Sequence, residues 1–412
     1  MAGATLVTFD KILKEDYKEP IRDLLNHKTL LLHRLDRNTE DVVGKRAYLP
    51  LRTGRNTGVG ARSEAGTLPT AGQQSYSNAT FAMTYHYGRI KVTGPVIAAA
   101  RDNAGAFTRA VESEMEGLVR DSTRDQNRQL FGDGSGVLAV VNDSGADQTT
   151  IEIAAGSTTK NLQVGMNFKF KTAAGAATAA ASNRTIESII KDVSFTCAAT
   201  DSEGAAAVVV RGDAGGDNYE AEMYGLQAAI NDVDPPNWTT DNFFGGLERD
   251  GSRPWWEANV TDWSNAAFSQ TIFQSMKDDV DIEGDGELSL FLTTHAIFNN
   301  YANNLLPDRR YNSDGGGFRK LDGGFDMLDY DGIPVAKDRD CPNNKLYGLS
   351  ESTLMIFEMN DWDWMDKDGA ILARVANEDA YEATLFKYQQ LGCEDPRDNA
   401  VYENVGTAVG AV

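Results

Sequence analysis

The sequence predicts an α+β protein of several domains, with a small all-β unit inserted in a larger mixed fold. Three observations carry this. Apolar residues alternate at period two around 80–93 and then recur at helical spacing over 106–131. Residues 138–222 turn rich in Ala, Thr and Gly, with short strand-like runs. From residue 223 strand and helix patterns mix again. At 412 residues the chain exceeds what one core usually serves, so two or three domains are expected.

In chain order, residues 1–44 read as an extended arm with short helical pieces. Leu13, Tyr17, Ile21 and Leu25 share a helix face, but Pro20 interrupts it. Residues 46–51 (RAYLPL) read as a strand and 80–93 (TFAMTYHYGRIKVT) as a longer one. The apolar phase changes after Gly88, from odd to even positions, which predicts a bulge there. The polar, Gly-rich stretch between these strands is long for a loop in a compact domain. Such a hairpin is not stable alone and must lie against something, such as a neighbouring subunit.

Residues 106–131 predict one helix, striped by Phe107, Val111, Met115, Leu118 and Leu130 and capped by Asp102 or Asn103. At 1.5 Å per residue it is roughly 39 Å long. GDGSG (132–136) ends it. Strand-like runs follow at 149–153, 166–171, 185–196 and 207–210, with an Ala/Gly-rich tip at 173–182. A helix is expected over 262–280, capped by Asp262 and striped by Phe268, Ile272, Met276 and Val280. LSLFLTT (288–294) reads as a buried strand leading to a helix with Ile297, Tyr301 and Leu305 on one face. Strands are expected at 333–336, 346–349, 353–358 and 379–391.

The formal net charge of −22 repels phosphates and anionic membranes, and no run of Lys and Arg offsets it. Specific DNA binding and membrane association are therefore disfavoured. Cys197, Cys341 and Cys393 are distant and unpaired in pattern, so neither a disulfide framework nor a zinc site is expected. The first residues lack the apolar region of a secretory signal.

Several motifs come close to chemistry. Asp279, Asp281 and Glu283 with Gly284 start like a calcium loop, but position twelve is Leu290 rather than a bidentate Glu. Asp361, Asp363, Asp366 and Asp368 cluster without a loop spacing and read as a solvated hairpin tip. GDGSG follows its helix, whereas a dinucleotide loop precedes one. His27, His33, His86 and His295 have no metal spacing, and His86 reads as a packing residue between tyrosines. Trp238, Trp255, Trp256 and Trp263 fall in one stretch; a sugar-stacking platform is set against core packing, and packing is favoured. No catalytic residue, cofactor or metal is expected, and the chain does not read as an enzyme.

The order arm, long Gly-rich hairpin, long helix, mixed α/β domain resembles the major capsid protein of tailed bacteriophages, the Hong Kong 97 capsid fold. GRIKVTGPVIAAAR (88–101), DQNRQLFGDGSG (125–136) and LDYDGIPVAKDRDCPNNKLYGLSES (328–352) carry the resemblance. It covers roughly 40–136 and 223–405, and 138–222 resembles the insertion domains of some relatives. The resemblance implies an N-arm (1–44), an E-loop (45–93), a peripheral domain with a spine helix (94–137 and 350–390), an axial domain (223–349, finished by 391–412) and the insertion (138–222). It implies hexamers and pentamers building an icosahedral shell around DNA, with a portal, a separate scaffolding protein and a possible decoration protein as partners. The expected place is the virion, after assembly in the host cytoplasm.

Some relatives crosslink an E-loop lysine to a neighbour. No lysine lies between Lys45 and Lys91, so no such crosslink is expected. Arg52, Arg55 and Arg62 on the hairpin, and Asp361, Asp363 and Asp366, are the candidate assembly residues. The alternatives are an encapsulin-like compartment shell and a calcium-assisted carbohydrate-binding protein.

Overall fold

The computed structural model describes residues 29–64, 66–99, 104–142, 148–172, 183–201, 207–213, 215–234, 243–284, 286–305, 319–320, 326–366 and 371–406. The expectations for residues 1–28, the cap at 102–103, the tip at 173–182, Trp238 and Asp368 lie outside the described residues.

Helix α1 (Leu30–Arg34) buries three leucines and leads to strand β1 (Asp36–Asn38). Strands β2 (Val42–Val43), β3 (Arg46–Gly54) and β4 (Ser75–Ala82) form a three-stranded antiparallel sheet. β5 (Thr84–Thr93), α2 (Gly94–Ala99) and the long α3 (Ala104–Leu130) follow. The expected strand over 80–93 is thus two strands. β4 pairs with β3, the chain breaks at Met83, and β5 runs along a different partner in unbroken register from Thr84 to Thr93. The phase change belongs to this break. Phe81 and Met83 face the core, whereas Tyr85 and Tyr87 are exposed, so no bulge at Gly88 is needed.

Strands β6 (Val137–Val140), β7 (Gln148–Glu152), β8 (Asn167–Lys171), β9 (Arg184–Ile190), β10 (Ser194–Asp201), β11 (Val208–Asp213) and β12 (Gly216–Asp217) make one sheet. Its order is β12-β11-β8-β9-β10-β7, with β6 on the other edge of β11. The run 185–196 is a hairpin rather than one strand, because Asp192 takes a left-handed turn conformation between β9 and β10. This sheet has a core of its own, with Phe168, Phe170 and Phe195 meeting edge-to-face.

Helix α4 (Leu226–Ala229) returns the chain to the body. Then come β13 (Asn259–Asp262), α5 (Thr271–Glu283), β14 (Leu290–Thr293), α6 (His295–Asn304), β15 (Arg319–Lys320), β16 (Asp326–Tyr330), β17 (Ile333–Lys337) and β18 (Leu346–Leu349). Strands β19 (Leu354–Trp364), β20 (Ala373–Arg374), β21 (Ala380–Cys393) and β22 (Ala400–Glu403) complete the chain. The helix expected over 262–280 starts only at Thr271. Asp262 ends a strand, and its carboxylate accepts from the Ser264 backbone N–H (2.8 Å) and Asn404 Nδ2 (3.0 Å). Ser264 and Asn265 both take positive φ, which a helix cannot contain.

Seven strands in the order β13-β22-β18-β14-β17-β16-β15 form a mixed sheet. α5 and α6 pack on it through Ile272, Phe273, Met276, Ile297, Phe298 and Tyr301. A second body sheet runs β1-β19-β21-β20, with β5 also paired to β21. The remaining core lies where these sheets, the end of α3 and the base of the β3–β4 hairpin meet. Trp256 is fully buried there, donating from Nε1 to the Phe244 carbonyl at 3.0 Å, while Trp263 stacks on Tyr402 in the other body core. Trp256 and Trp263 pack in separate cores, so they share no platform. Asp279, Asp281 and Glu283 lie along α5, and helical spacing excludes a calcium loop.

Candidate assembly interface

The β3–β4 hairpin has two zones. At its base Ala47, Leu49, Ala79 and Phe81 are buried, and Phe81 contacts Phe244 and Phe357 at ring distances of 5.1 and 5.7 Å. The base thus rests on its own chain. Further out, apolar burial ceases, and the connecting residues 55–74 leave Val59 86% and Leu68 81% exposed. Arg52 Nε donates to Gln74 Oε1 at 2.8 Å and so ties the two strands where the loop begins. Arg62 donates from Nε to the Thr67 carbonyl (3.0 Å) and from Nη1 to the Ala61 carbonyl (2.9 Å), folding the loop on itself. Arg55 is exposed. A guanidinium has five donors, so each of these arginines keeps donors for another chain.

Asp361 and Asp363 do not form a hairpin tip. They stand exposed on the outer half of β19, and exposed Asp366 follows two residues past its end. Asp361 Oδ1 lies 3.1 Å from Lys387 Nζ and 3.6 Å from Arg37 Nη1. Burial opposes its charge, but the Trp362 backbone N–H and Lys387 hold its carboxyl below the usual range. Lys387 is wholly buried and also meets Glu358 Oε1 at 2.8 Å. Asp361 is therefore engaged within its own chain. Arg52 stands on a different sheet from Asp361 and Asp363, Arg55 and Arg62 lie in the loop past β3, and among the described residues no ion pair joins the two sets.

A polar joint that sequence reasoning missed lies between α3, β5 and the all-β unit. Arg128 Nη2 reaches both Glu222 oxygens at 2.7 Å, and its Nε reaches Asp125 Oδ1 at 3.1 Å. Arg211 of β11 meets the same Asp125 oxygen at 3.0 Å. Burial opposes both charges of the central pair, yet the arginines hold the Asp125 carboxyl well below its ordinary value and the two acids hold Arg128 well above its own. His86 Nε2 sits 2.7 Å from Gln129 Oε1, and burial lowers its pKa, so the imidazole is neutral at pH 7. The i, i+3 pair Asp125–Arg128 was the available sequence signal; Glu222 and Arg211 are too distant in sequence to have been linked to it.

Above this joint an open cleft of about 870 Å³ separates α3 and β5 from the all-β unit, with Leu118, Arg124, Lys160, Asp213, Asp217 and Trp362 among its lining residues. Beside it, Tyr85 and Tyr87 are exposed on β5 and meet Tyr388 at 5.1 and 6.1 Å. The described surface thus includes a basic hairpin with an exposed end, an acidic strand, an aromatic strip and a cleft.

No family profile matches the chain, and no curated protein matches it. Solved structures do. The chain is similar to a subunit of the cyanophage A-1(L) capsid asymmetric unit, at 16% identity and a TM-score of 0.60, covering 98% of this chain and 99% of that one. It is also similar to the SrpI encapsulin of Synechococcus elongatus PCC 7942 (9% identity, TM-score 0.48, 99% and 98% covered) and to the capsid of the cyanophage P-SCSP1u (10%, 0.46, 94% and 92%). At these identities the first of them speaks to fold alone: the chain folds end to end as that capsid subunit does.

Proposed function

We propose that this chain is the major capsid protein of a tailed bacteriophage, assembling as hexamers and pentamers into an icosahedral head shell around double-stranded DNA. The observation that carries the reading is the agreement of fold with the cyanophage A-1(L) capsid subunit over nearly the whole of both chains. Three features support it. The hairpin buries its base and leaves its end exposed, as an arm that reaches a neighbour does. A large acidic excess suits a wall that must let DNA slide in and out. Several separate contact surfaces suit a lattice, in which modest interfaces add up.

In this reading residues 1–44 are the N-arm and 45–93 the E-loop. Residues 94–137 and 350–390 make the peripheral domain with α3 as its spine, and 223–349 with 391–412 the axial domain. Residues 138–222 are an insertion whose own sheet and core let it fold as a separate unit. Arg52, Arg55 and Arg62 pair with acidic neighbours, and Asp363 and Asp366 are better placed to receive them than Asp361, which Lys387 already holds. The protein is structural rather than catalytic. Its partners are its own copies, a scaffolding protein, a portal and a decoration protein, and its place is the virion after assembly in the host cytoplasm.

Negative-stain microscopy of the full chain, expressed alone and with a candidate scaffolding protein, tests the reading. Closed icosahedral particles, or rings of six and five, are expected. A monomer under every condition overturns it, and closed particles carrying protein cargo without nucleic acid favour an encapsulin-like shell instead.

A further inference from the structure

Where α3 passes the loop after β17, buried Asn127 meets two acids of one turn, buried Asp338 and half-buried Asp340. Asn127 is 1% and Asp338 3% exposed. The turn holding the acids is fixed by its backbone: the Asp338 N–H donates to the Thr293 carbonyl at 3.0 Å, and the Asp340 N–H to Asp338 Oδ1 at 2.8 Å. Asn127 Nδ2 donates to Asp340 Oδ2 at 2.9 Å and, at longer range, to Asp338 Oδ1 at 3.3 Å. Two buried oxygens of the group, Asn127 Oδ1 and Asp338 Oδ2, have no hydrogen-bond partner. Each lies only one amide or carboxylate width from the bonds that join the group. Buried polar atoms are almost always satisfied, so two orphans in one cluster ask for an occupant.

We propose that Asn127, Asp338 and Asp340 bind a hard divalent cation, Ca²⁺ or Mg²⁺, at the joint between α3, the β17 loop and the all-β unit. Rotating the Asn127 amide by half a turn exchanges its nitrogen for its oxygen. That places Oδ1 beside both carboxylates, which is unfavourable in an empty pocket and favourable around a cation. The donors are then carboxylate and amide oxygens, the set that suits Ca²⁺ and Mg²⁺, with water completing the shell. Cys341, next in the chain, does not add a soft ligand. Its Sγ faces the carbonyls of Pro342 and Lys345 at 3.7 and 3.9 Å, and burial pushes its thiol pKa up, away from thiolate.

Positive charge stands near the pocket without closing an ion pair to its acids. Lys160, from the all-β unit, brings its ammonium to 3.5 Å from the Cys341 carbonyl, but no ion pair within 4 Å joins it to Asp338 or Asp340 among the described residues. Lys160 is thus a tethered, imperfect stand-in for a mobile cation. A divalent ion tightens α3 against the β17 loop and frees Lys160, so occupancy of this pocket loosens one of the contacts holding the all-β unit to the body. The inference is independent of what the chain assembles into, because it is read on the free chain.

Calorimetric titration of the full chain with CaCl₂ and with MgCl₂, against NaCl at matched ionic strength, tests it. Binding that saturates at one cation per chain is expected, with a matching rise in melting temperature. Asp340→Asn weakens it about tenfold or more, and Lys160→Met, which removes the competing ammonium without touching a ligand, tightens it. Asp338→Asn abolishes binding if that variant folds; the other two decide the matter if it does not. No saturable binding up to about 10 mM, or binding unchanged in both Asp340→Asn and Lys160→Met, overturns the proposal and leaves a pocket satisfied by water.

Discussion

At the scale of single residues, the joint around Asp125 is a place where losing one partner is costly. Replacing Asp125 with Asn takes the carboxylate from Arg211 and leaves Arg128 with Glu222 alone, at a cost of about 2–3 kcal/mol. Chemical denaturation of the variant measures it. The folded protein holds the Asp125 pKa below its unfolded value of about 3.9, so its contribution is complete above that pH and is lost as pH falls toward the folded pKa. Asp125→Asn therefore flattens the acid limb of the stability curve below about pH 4, and an unchanged limb places the acid sensitivity elsewhere. Residue roles were only partly legible in the sequence. The packing role of His86 was visible from its tyrosine neighbours. Its partner Gln129 was not, because β5 and α3 are brought together only by the fold. The aspartates at 361–366 were read as a tip because acidic runs usually sit in turns. The outer half of β19 does alternate, with Asp361 and Asp363 outward and Trp362 and Trp364 inward, and Asp366 alone of the three lies past the strand's end.

At the scale of elements, periodicity found most strands and helices and misplaced their junctions. The long helix α3, the buried β14 and the long β21 were legible because each has an extended apolar pattern. The split of 80–93 was not, since β4 and β5 are separated by Met83 alone and differ only in which sheet they join. β6 escaped notice because VLAV has no alternation and is buried on both faces next to β11. Gly136, which leads into β6, has φ +74°, and a Cβ there meets the Asn218 carbonyl oxygen at 2.3 Å. Gly136→Ala is therefore expected to cost about 2 kcal/mol or more. Hydrogen exchange should rise first in β6 and β12, with the sheet of β14 and β17 unchanged; uniform loss of protection contradicts this local origin.

At the scale of the whole molecule, fold class and order of elements were legible, and the surfaces between copies were not, because an interface leaves no period in a single chain. Two outcomes bear on those surfaces. Particles heated in denaturant should run as a single chain on a gel, since the hairpin offers no lysine between Lys45 and Lys91; a ladder of multiples contradicts this. Particles of the triple variant Arg52→Ala, Arg55→Ala, Arg62→Ala should come apart at lower salt than the parent, and unchanged salt tolerance removes these arginines from the interface. The sequence led to a hairpin that must lie against something, and its base rests on its own chain, at Phe244 and Phe357.

The all-β unit leaves and rejoins the body at one spot: the Glu220 N–H donates to the Ser135 carbonyl at 3.0 Å, and Gly136 touches the Asn218 backbone. Two chain ends held side by side make a cassette. Residues 137–217 should be removable and replaceable by a short turn, or by a foreign domain whose own termini lie close together, while the host subunit keeps its shape. Circular dichroism and melting of such a deletion chain, compared with the parent, would show whether this position is a port for cargo of the engineer's choosing.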